Sequence, residues 1–406
     1  MLKLGIVGCG LQAATIASYV GVYNDEYEVT AVADVNLANA KSRLAEKKVN
    51  VSENCKFYSS TDEFIAAAPE VDGIIIGTFC TFHTETACKL EKLGVPIYIE
   101  KPVAINLEQL MMLYNTFKNS KTPIEVSLPM RMCALTQKAK QIIDSGEVGP
   151  IHQVVGYEDT PGEIYFSTWF RDFDKTGGMF LQKAVHDIDY LFYLTGSNPT
   201  EVCAMRAKTY FNGDKPYDMT CSECPDQATC PEGPLACFRD MGRYDSVAEA
   251  VVGRSTKMNP DGKVGTKRYC VFSKDIAIED IGECIFRMES GAHVTHTQNF
   301  IARGNACRRG ARLCGSKATL EIDFNNGELH VYSNRNNSVE HYKIDQGKLS
   351  HYGGDKELVF DFIRTMKTGQ RAKTDLITGN GVMSTLACIS ARESADSGKF
   401  VKISLG

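Results

Sequence analysis

Residues 2–13 read LKLGIVGCGLQA, and this stretch decides the fold class. The apolar run Leu2–Val7 predicts a strand, and a helical pattern extends from the turn after it to about Tyr23. Gly8 and Gly10 lie in that turn, in a Gly-x-Gly-x-x-Ala pattern that lets a backbone approach a pyrophosphate at a helix N-terminus. The stretch predicts a dinucleotide-binding turn; the alternative is a Gly-rich turn in another α/β fold.

An acidic residue follows at the spacing that such a turn requires. Asp34 ends the β-rich run Val29–Ala33 and lies 21 residues past Ala13. That separation is near the roughly 20 residues expected for a carboxylate that binds a ribose. A carboxylate there accepts hydrogen bonds from a free ribose diol and repels a 2′-phosphate. Asp34 therefore predicts NAD rather than NADP as the cofactor.

The rest of the first half alternates strands with helices. Val71–Gly77, Val95–Ile99 and Pro123–Ser127 are apolar runs typical of buried parallel strands, and helical patterns separate them. Ser60 and Asn106 are in position to cap two of these helices. The alternation predicts an α/β fold with a doubly wound parallel sheet.

Chemically useful side chains follow two of these strands, at the sheet edge where open α/β sheets bind ligands. Thr78, Phe79 and His83 come after one strand, and Glu100 and Lys101 come after the next. Lys101 can donate to a substrate oxygen, or lose its proton near a cationic nicotinamide; the alternative is a surface lysine. His83 fits a helix cap, a wall of the cofactor groove or a chemical role.

The second half has a mixed pattern with more strands than helices. Apolar alternation predicts strands at Ile151–Tyr157, Gly282–Met288, His293–Phe300, Ala318–Phe324 and Glu328–Tyr332. Helices are predicted at Leu135–Ser145, Asp355–Lys367 and Asp375–Ser397. Successive strands with short turns predict an α+β domain with a large, mostly antiparallel open sheet. We expect domains at 1–127 and 128–406, with a Cys-rich insertion at about 210–240.

One predicted helix of this half, Gly177–Leu194, carries a polar stripe. Gln182, His186 and Asp189 recur on one side of it, beside Lys183, while the opposite side is apolar. A helix of this kind is typical of the wall of a cleft. The pKa of a histidine suits it to accept a hydroxyl proton near neutrality, so His186 is a catalytic candidate. The alternative is a hydrogen-bonded histidine at a domain interface.

Fifteen cysteines are present, and four of them form a cluster. Cys221, Cys224, Cys230 and Cys237 have the spacing C-x2-C-x5-C-x6-C in a loop rich in proline and acidic residues. The pattern predicts a structural zinc site; the alternatives are free or disulfide-bonded cysteines and an iron–sulfur cluster.

Composition narrows the class of protein further. The 406 residues carry a net charge of −5, which gives no reason to expect a nucleic acid or an anionic membrane as partner. No apolar run approaches the roughly 20 residues of a spanning helix, and we predict no signal peptide, hence a cytoplasmic protein. The arginines Arg303, Arg308, Arg309 and Arg312 are expected on a solvated or subunit-contact surface.

Taken together, these residues resemble the glucose–fructose oxidoreductase / inositol dehydrogenase family, written Gfo/Idh/MocA. The resemblance rests on the Gly-rich turn, Thr78-x4-His83, Glu100-Lys101-Pro102, Trp169-x-Arg171 and the Gly-Gly…His186-x-x-Asp189 helix. It implies a Rossmann domain with bound NAD(P), a sugar or cyclitol substrate, and a homodimer or homotetramer. The sequence departs from the family at Gln182, where an aspartate is usual, and Lys183 is a candidate for part of that role.

The resemblance assigns roles to individual residues. Lys101, His186 and Lys183 are the predicted catalytic residues, and Lys101, Gln182, His186 and Asp189 the predicted substrate-binding residues. The predicted cofactor-binding residues are Gly8, Gly10, Leu11, Gln12, Asp34, Thr78, Phe79, His83, Glu100, Lys101, Trp169 and Arg171. The expected activity is hydride transfer between a secondary hydroxyl and NAD. Two alternatives are a glycosidase that uses NAD in a transient oxidation and a non-catalytic NAD-responsive binding protein.

Overall fold

The computed structural model describes residues 1–221, 223–226, 229–232, 269–346 and 350–405. Within these ranges the chain forms one sheet of six parallel strands and one sheet of nine strands. The predicted combination of a doubly wound parallel sheet with a mostly antiparallel one is confirmed.

The six-stranded sheet has the order β3-β2-β1-β4-β5-β6. Its strands are β1 (Leu2–Val7), β2 (Tyr27–Ala33), β3 (Val51–Tyr58), β4 (Gly73–Ile76), β5 (Ile97–Ile99) and β6 (Ile124–Val126). The helices of this half are α1 (Leu11–Tyr23), α2 (Leu37–Glu46), α3 (Thr61–Ala67), α4 (Cys80–Leu90) and α5 (Leu107–Phe117). Strand order reverses between β1 and β4, and such a switch point is where open sheets bind ligands.

The nine-stranded sheet has the order β14-β13-β12-β11-β7-β10-β9-β8-β15. Its strands are β7 (Ile151–Asp159), β8 (Pro199–Ala207), β9 (Ile281–Met288), β10 (His293–Asn299), β11 (Arg308–Gly315), β12 (Ala318–Asp323), β13 (Glu328–Ser333), β14 (Val339–Lys343) and β15 (Val401–Lys402). Within this sheet, β7 and β10 are the only described strands that pair in parallel, and the other described pairs are antiparallel. Burial alternates along β9, so one face of the sheet is covered and the other is open.

Three helices of the second half have four or five residues, and four have 11 to 17. They are α6 (Pro129–Met132), α7 (Ala134–Asp144), α8 (Glu163–Ser167), α9 (Phe173–Thr176), α10 (Val185–Thr195), α11 (Gly354–Thr368) and α12 (Gly381–Ser397). Short 3-10 turns lie at Glu91–Leu93, Trp169–Arg171 and Gly304–Ala306, and Ser350–Gly353 is a turn with left-handed residues. Both α10 and α12 pack on the covered face of the nine-stranded sheet.

Two predicted helices begin later than expected. The helix predicted from Asp375 begins at Gly381, because the Asp375 carboxylate accepts the backbone N–H groups of Ile377 and Thr378 and closes a turn instead. The helix predicted from Gly177 follows Gly177 and Gly178, which have φ of +77° and +91°. It starts as a π-helical turn, Phe180–Ala184, before α10 continues it.

A late helix joins the two halves of the chain. Leu358 and Phe362 of α11 pack on the first sheet, and the ring of Phe362 meets that of Tyr98 at 5.6 Å. The expected division at residue 127 stays a prediction, because the contacts of α11 cross it. No helix among the described residues is both long and apolar enough to span a membrane.

Candidate active site

A cavity of about 1140 Å³ opens at the carboxyl edge of the six-stranded sheet. Its walls come from the turn after β1, the ends of β2, β4 and β5, helix α4, and the π-helical turn of the second half. The predicted site residues in its walls are Gly8, Gly10, Leu11, Gln12, Asp34, Thr78, Phe79, His83, Glu100, Lys101, Trp169, Gln182, Lys183 and His186.

At one end of the cavity, the backbone after β4 packs so closely against the Gly-rich turn that Gly8 and Gly10 have no room for a side chain. Gly8 has φ of +77°, and a Cβ there would lie 2.4 Å from the backbone nitrogen of Thr78. A Cβ on Gly10 would lie 3.1 Å from the carbonyl oxygen of Gly77. Helix α1 begins at Leu11, so its first N–H groups lie at this turn. The turn therefore fits a pyrophosphate held by backbone donors.

The acidic residue predicted for the ribose lies beside this turn. Asp34 accepts the backbone N–H of Cys9 at 2.8 Å and that of Asn36 at 2.7 Å. These bonds hold the carboxylate in the cavity wall, where its remaining lone pairs can accept from a ribose diol. Arg43 of α2 lines the same end and donates to the carbonyl of Cys9 at 3.2 Å. Sequence reasoning missed Arg43 because it missed the short helix that carries it.

At the other end of the cavity, Lys101 is held by the π-helical turn. Its Nζ donates to the carbonyl oxygen of Gln182 at 2.6 Å. A π-helical turn leaves a carbonyl free of the regular α-helical pattern, and such turns are frequent at functional sites. Burial, reinforced by the nearby Lys183 cation, lowers the pKa of Lys101 to about 8. Lys101 can therefore exchange a proton close to neutral pH.

His186 follows the π-helical turn and is 2% exposed. Its Nδ1 has no hydrogen-bond partner among the described residues. Burial lowers the pKa of His186 well below its ordinary value, and the positive charges of Lys101, Arg309 and Lys183 act in the same direction. His186 is therefore a neutral imidazole that can bond a hydroxyl group.

Lys183 is held as a cation. Its Nζ lies 2.9 Å from a carboxylate oxygen of Glu158. Burial alone would lower the pKa of Lys183, but the charge and hydrogen bond of Glu158, together with Tyr165, outweigh burial and raise it. A lysine that keeps its proton supplies positive potential to the cavity and does not relay protons.

Arg309 belongs to the same buried network. It donates to both carboxylate oxygens of Asp187, at 2.8 and 2.7 Å, and lies 3.6 Å from Glu158. The expectation that Arg309 lies on a solvated surface with its neighbours is wrong. Alternation along β11 points Arg309 to the covered face of the sheet, while Arg308 stays exposed.

Two predicted site residues lie outside the cavity. Arg171 donates to the carbonyls of Cys270 and Tyr217, which ties the 3-10 turn to the start of the Cys-rich segment. Asp189 accepts both guanidinium donors of Arg131 and the hydroxyl of Ser384. It lies buried one turn beyond His186 on α10, where Arg131 of α6 and Ser384 of α12 hold it away from the cavity.

Several predicted cofactor contacts also brace the fold. Both ring nitrogens of His83 face backbone carbonyl oxygens, that of Pro102 at 2.7 Å and that of Thr78 at 2.9 Å. The ring of Trp169 stacks on Phe170 at 4.2 Å and meets Phe79 edge-on at 4.8 Å. These residues fix the loops on either side of the cavity.

The predicted zinc site stays a prediction. Cys237 lies outside the described residues, and Cys221, Cys224 and Cys230 do not bring three ligand atoms together. Metal-ligand spacing among the described residues occurs only at Glu328, His330 and His341, on the open sheet. There Lys343 already pairs with Glu328 at 2.9 Å.

One further cavity residue, His351, was not predicted from sequence. Its ring centroid lies 4.8 Å from that of His186, although the two residues are far apart in the chain. No motif surrounds it, so only the three-dimensional structure identifies it.

The comparisons with known proteins agree with this geometry. The family model described as an oxidoreductase family with an NAD-binding Rossmann fold matches residues 2–127, and the GFO/IDH/MocA C-terminal domain matches residues 136–230. The chain therefore belongs to the Gfo/Idh/MocA family of NAD-binding oxidoreductases.

Individual relatives have low sequence identity to this chain, but their alignments cover most of its length. The Bacillus subtilis protein YteT is 22% identical over 390 residues, covering 88% of this chain and 87% of that protein. Myo-inositol 2-dehydrogenase of Thermotoga maritima is 21% identical over 285 residues, covering 69% of this chain and 73% of that protein. A levoglucosan dehydrogenase solved with NADH and L-sorbose superposes with a TM-score of 0.73 at 16% identity, covering 100% of this chain and 99% of that one.

Proposed function

We propose that this protein is an NAD-dependent dehydrogenase that oxidises a secondary hydroxyl group of a sugar or cyclitol. One observation carries the proposal: Lys101 and His186 line the same cavity as the Gly8–Gly10 turn and Asp34. A dinucleotide bound along that turn has its pyrophosphate at the N-terminus of α1 and a ribose at Asp34. Lys101 and His186, which line the same cavity, would then be the residues beside its nicotinamide.

In this mechanism, NAD⁺ supplies the hydride acceptor when it is bound, and the chain manages the proton. His186 accepts or donates a hydrogen bond at the substrate hydroxyl and fixes its orientation. Lys101, as the neutral amine, takes the hydroxyl proton. The positive charge of Lys183 stabilises the negative charge that develops on the substrate oxygen. In the reverse direction Lys101 returns the proton to the new alcohol.

The substrate class is supported by the character of the cavity wall and by the relatives. The cavity wall combines the hydrogen-bonding residues Gln182, Lys183 and His186 with the aromatic rings of Tyr165 and Trp169, which suits a compact molecule with several hydroxyl groups. The comparison proteins are named as dehydrogenases of myo-inositol and levoglucosan. NAD rather than NADP is supported by the carboxylate of Asp34.

The test is NADH formation from NAD⁺ and a panel of inositols, hexoses, anhydrosugars and glycosides. We expect NADH to accumulate with one class of polyol, and NADPH to form more slowly when NADP⁺ replaces NAD⁺. Glycoside cleavage without net NADH would favour the transient-oxidation alternative. Cofactor binding with no turnover of any compound would favour a binding protein.

A further inference from the structure

His351 reaches the cavity from a segment that sequence motifs do not mark. It lies just before α11, the helix that packs on the first sheet, and its ring lines the cavity beside His186. The centroids of the two imidazole rings are 4.8 Å apart with an interplanar angle of 46°. Two imidazoles at this separation can exchange a proton directly or through one water molecule.

The backbone around His351 adopts the left-handed conformation, which is unfavourable for residues other than glycine. His351 has φ of +48° and Tyr352 has φ of +54°, and Gly353 follows at +86°. Left-handed backbone is uncommon for residues other than glycine, and such conformations cluster at functional sites. Here the consecutive left-handed residues turn the chain so that His351 lies in the cavity wall while α11 starts immediately afterwards.

A buried carboxylate fixes the orientation of this imidazole. Both oxygens of Asp355 lie 3.0 Å from Nδ1 of His351, and Asp355 is 1% exposed. Asp355 lies in the first turn of the 15-residue helix α11, where the helix dipole favours a negative charge. Nδ1 of His351 therefore carries the proton that Asp355 accepts. In the neutral ring, Nε2 is then the unprotonated nitrogen.

The charges around the reaction centre favour His351 over His186 as the place for a proton. Lys101, Lys183 and Arg309 surround His186 with positive charge. The nearby carboxylates do not offset this charge, because Glu158 pairs with Lys183 and Asp187 pairs with Arg309. Burial lowers the pKa of His351 as well, and Lys183 and Arg309 act in the same direction. Unlike His186, however, His351 has a carboxylate, Asp355, whose charge and hydrogen bond oppose that lowering.

Solvent exposure also favours His351 over His186 as the residue that carries the proton. The side chain of His351 is 24% exposed, whereas His186 is 2% exposed. Of the two imidazoles, His351 is therefore the one that solvent can reach.

We propose that the His351–Asp355 pair is a proton outlet for the reaction centre. This inference rests on the proposed dehydrogenase function. The substrate hydroxyl loses its proton to Lys101 while the carbinol hydride goes to NAD⁺. His186 then takes a proton from Lys101 at one ring nitrogen and releases one from the other to Nε2 of His351. The imidazolium of His351, paired with Asp355, gives the proton to water. The net products are a ketone, NADH and one proton.

The test replaces His351 and supplies an imidazole from solution. His351→Gly removes the ring and relieves the left-handed backbone, so it leaves space for added imidazole. We expect kcat for polyol oxidation to fall about 10²-fold, the low end of what positioned proton transfer contributes, with the Kd for NADH unchanged. Added imidazole should restore kcat in a concentration-dependent manner. Asp355→Asn should lower kcat in the same direction without responding to imidazole.

Two variants separate the outlet from a structural role. Tyr352→Gly relaxes the adjacent left-handed residue without touching the cavity, and it should keep kcat and ignore imidazole. If His351→Gly does not fold, His351→Asn tolerates the same backbone and should enlarge the solvent deuterium isotope effect on kcat.

Each outcome has a definite meaning. Imidazole rescue, or for His351→Asn the enlarged isotope effect, supports the outlet. A wild-type kcat in the His351 variant overturns the outlet. So does a loss of kcat that imidazole does not rescue and that leaves the isotope effect unchanged. Neither result contradicts the dehydrogenase function. A wild-type protein that forms no NADH with any polyol overturns both proposals.

Discussion

At the scale of single residues, the proton chemistry depends on how charges are paired around Lys101. Its amine is surrounded by buried groups, and the cation Lys183 nearby is held by Glu158. Burial and this repulsion lower the pKa of Lys101 to about 8, so a modest change in pH changes the fraction of neutral amine. A neutral amine can accept the hydroxyl proton, and an ammonium cannot.

The pH profile tests this assignment. We expect kcat for polyol oxidation to rise as the pH increases through about 8, because Lys101 is protonated below that value and neutral above it. Lys101→Ala should lower kcat by about 10²–10⁴-fold, abolish this limb of the profile and leave the Kd for NADH nearly unchanged.

Glu100 provides the control for that profile. Burial raises the pKa of Glu100 to about 8 as well, so Glu100 could produce the same limb. Glu100→Gln should keep the limb if Lys101 is the titrating base. A limb that disappears in Glu100→Gln and survives in Lys101→Ala would contradict the assignment.

The residues that sequence reasoning identified are those that lie in recognisable motifs. Lys101 and His186 follow a strand and a Gly-Gly turn, and the cavity contains both. His351 has no such context, because its position depends on where α11 packs. Asp189 was expected at the substrate, but it pairs with Arg131, and a contact between distant segments leaves no trace in the local hydrophobic pattern.

At the scale of secondary-structure elements, the turn between β1 and α1 allows a sharp comparison of two glycines. Gly8 and Gly94 both have positive φ, of +77° and +70°. A Cβ on Gly8 would lie 2.4 Å from the backbone of Thr78, whereas a Cβ on Gly94 would meet nothing within 4 Å. A side chain at either position therefore strains the backbone, but only at Gly8 does it also clash with a neighbouring residue.

Gly8→Ala should therefore destroy cofactor binding, and Gly94→Ala should not. We expect Gly8→Ala to weaken NADH binding at least tenfold, because the turn must open to accommodate the methyl group. Gly94→Ala should lower stability by about 1 kcal/mol and keep the Kd for NADH. Fluorescence titration with NADH and thermal unfolding measure the two effects. Equal Kd values in both variants would refute a pyrophosphate site at Gly8.

Strand β11 offers a second comparison, between adjacent arginines on opposite faces. Arg309 holds the buried carboxylates of Asp187 and Glu158, and Arg308 pairs with Asp159 at the surface. Removing one partner of a buried ion pair leaves an uncompensated charge, whereas an exposed pair contributes little.

The free energy of unfolding should reflect this difference. We expect Arg309→Ala to lower it by about 3–5 kcal/mol and Arg308→Ala by about 0–1 kcal/mol. Urea denaturation of the two variants measures both values. Similar losses in the two variants would mean that the network around Arg309 does not stabilise the fold.

The strands that sequence reasoning missed are β3, β8, β11 and β14, in which charged residues interrupt the apolar ones. None of them has the continuous apolar run that marked β1 and β4. By contrast, Ser60 and Asn106 cap α3 and α5 as predicted, because a capping side chain is a local signal.

At the scale of the whole molecule, the site exists only because segments from both halves of the chain line one cavity. The six-stranded sheet contributes the Gly8–Gly10 turn and Lys101, the π-helical turn contributes Gln182 and Lys183, and the segment before α11 contributes His351. The sequence predicted both sheets, because each has its own hydrophobic pattern. It did not predict that α11 returns to the first sheet, since packing between distant segments has no local signal.

The central claim is that hydride passes from a secondary carbon of a polyol to NAD⁺ in this cavity. The most direct measurement uses a polyol deuterated at its secondary carbons and analyses the nicotinamide product by mass spectrometry. We predict that each NADH formed carries one deuterium and that the labelled substrate turns over more slowly. NADH without deuterium, or turnover of the polyol that leaves NAD⁺ unlabelled and unreduced, would contradict the claim.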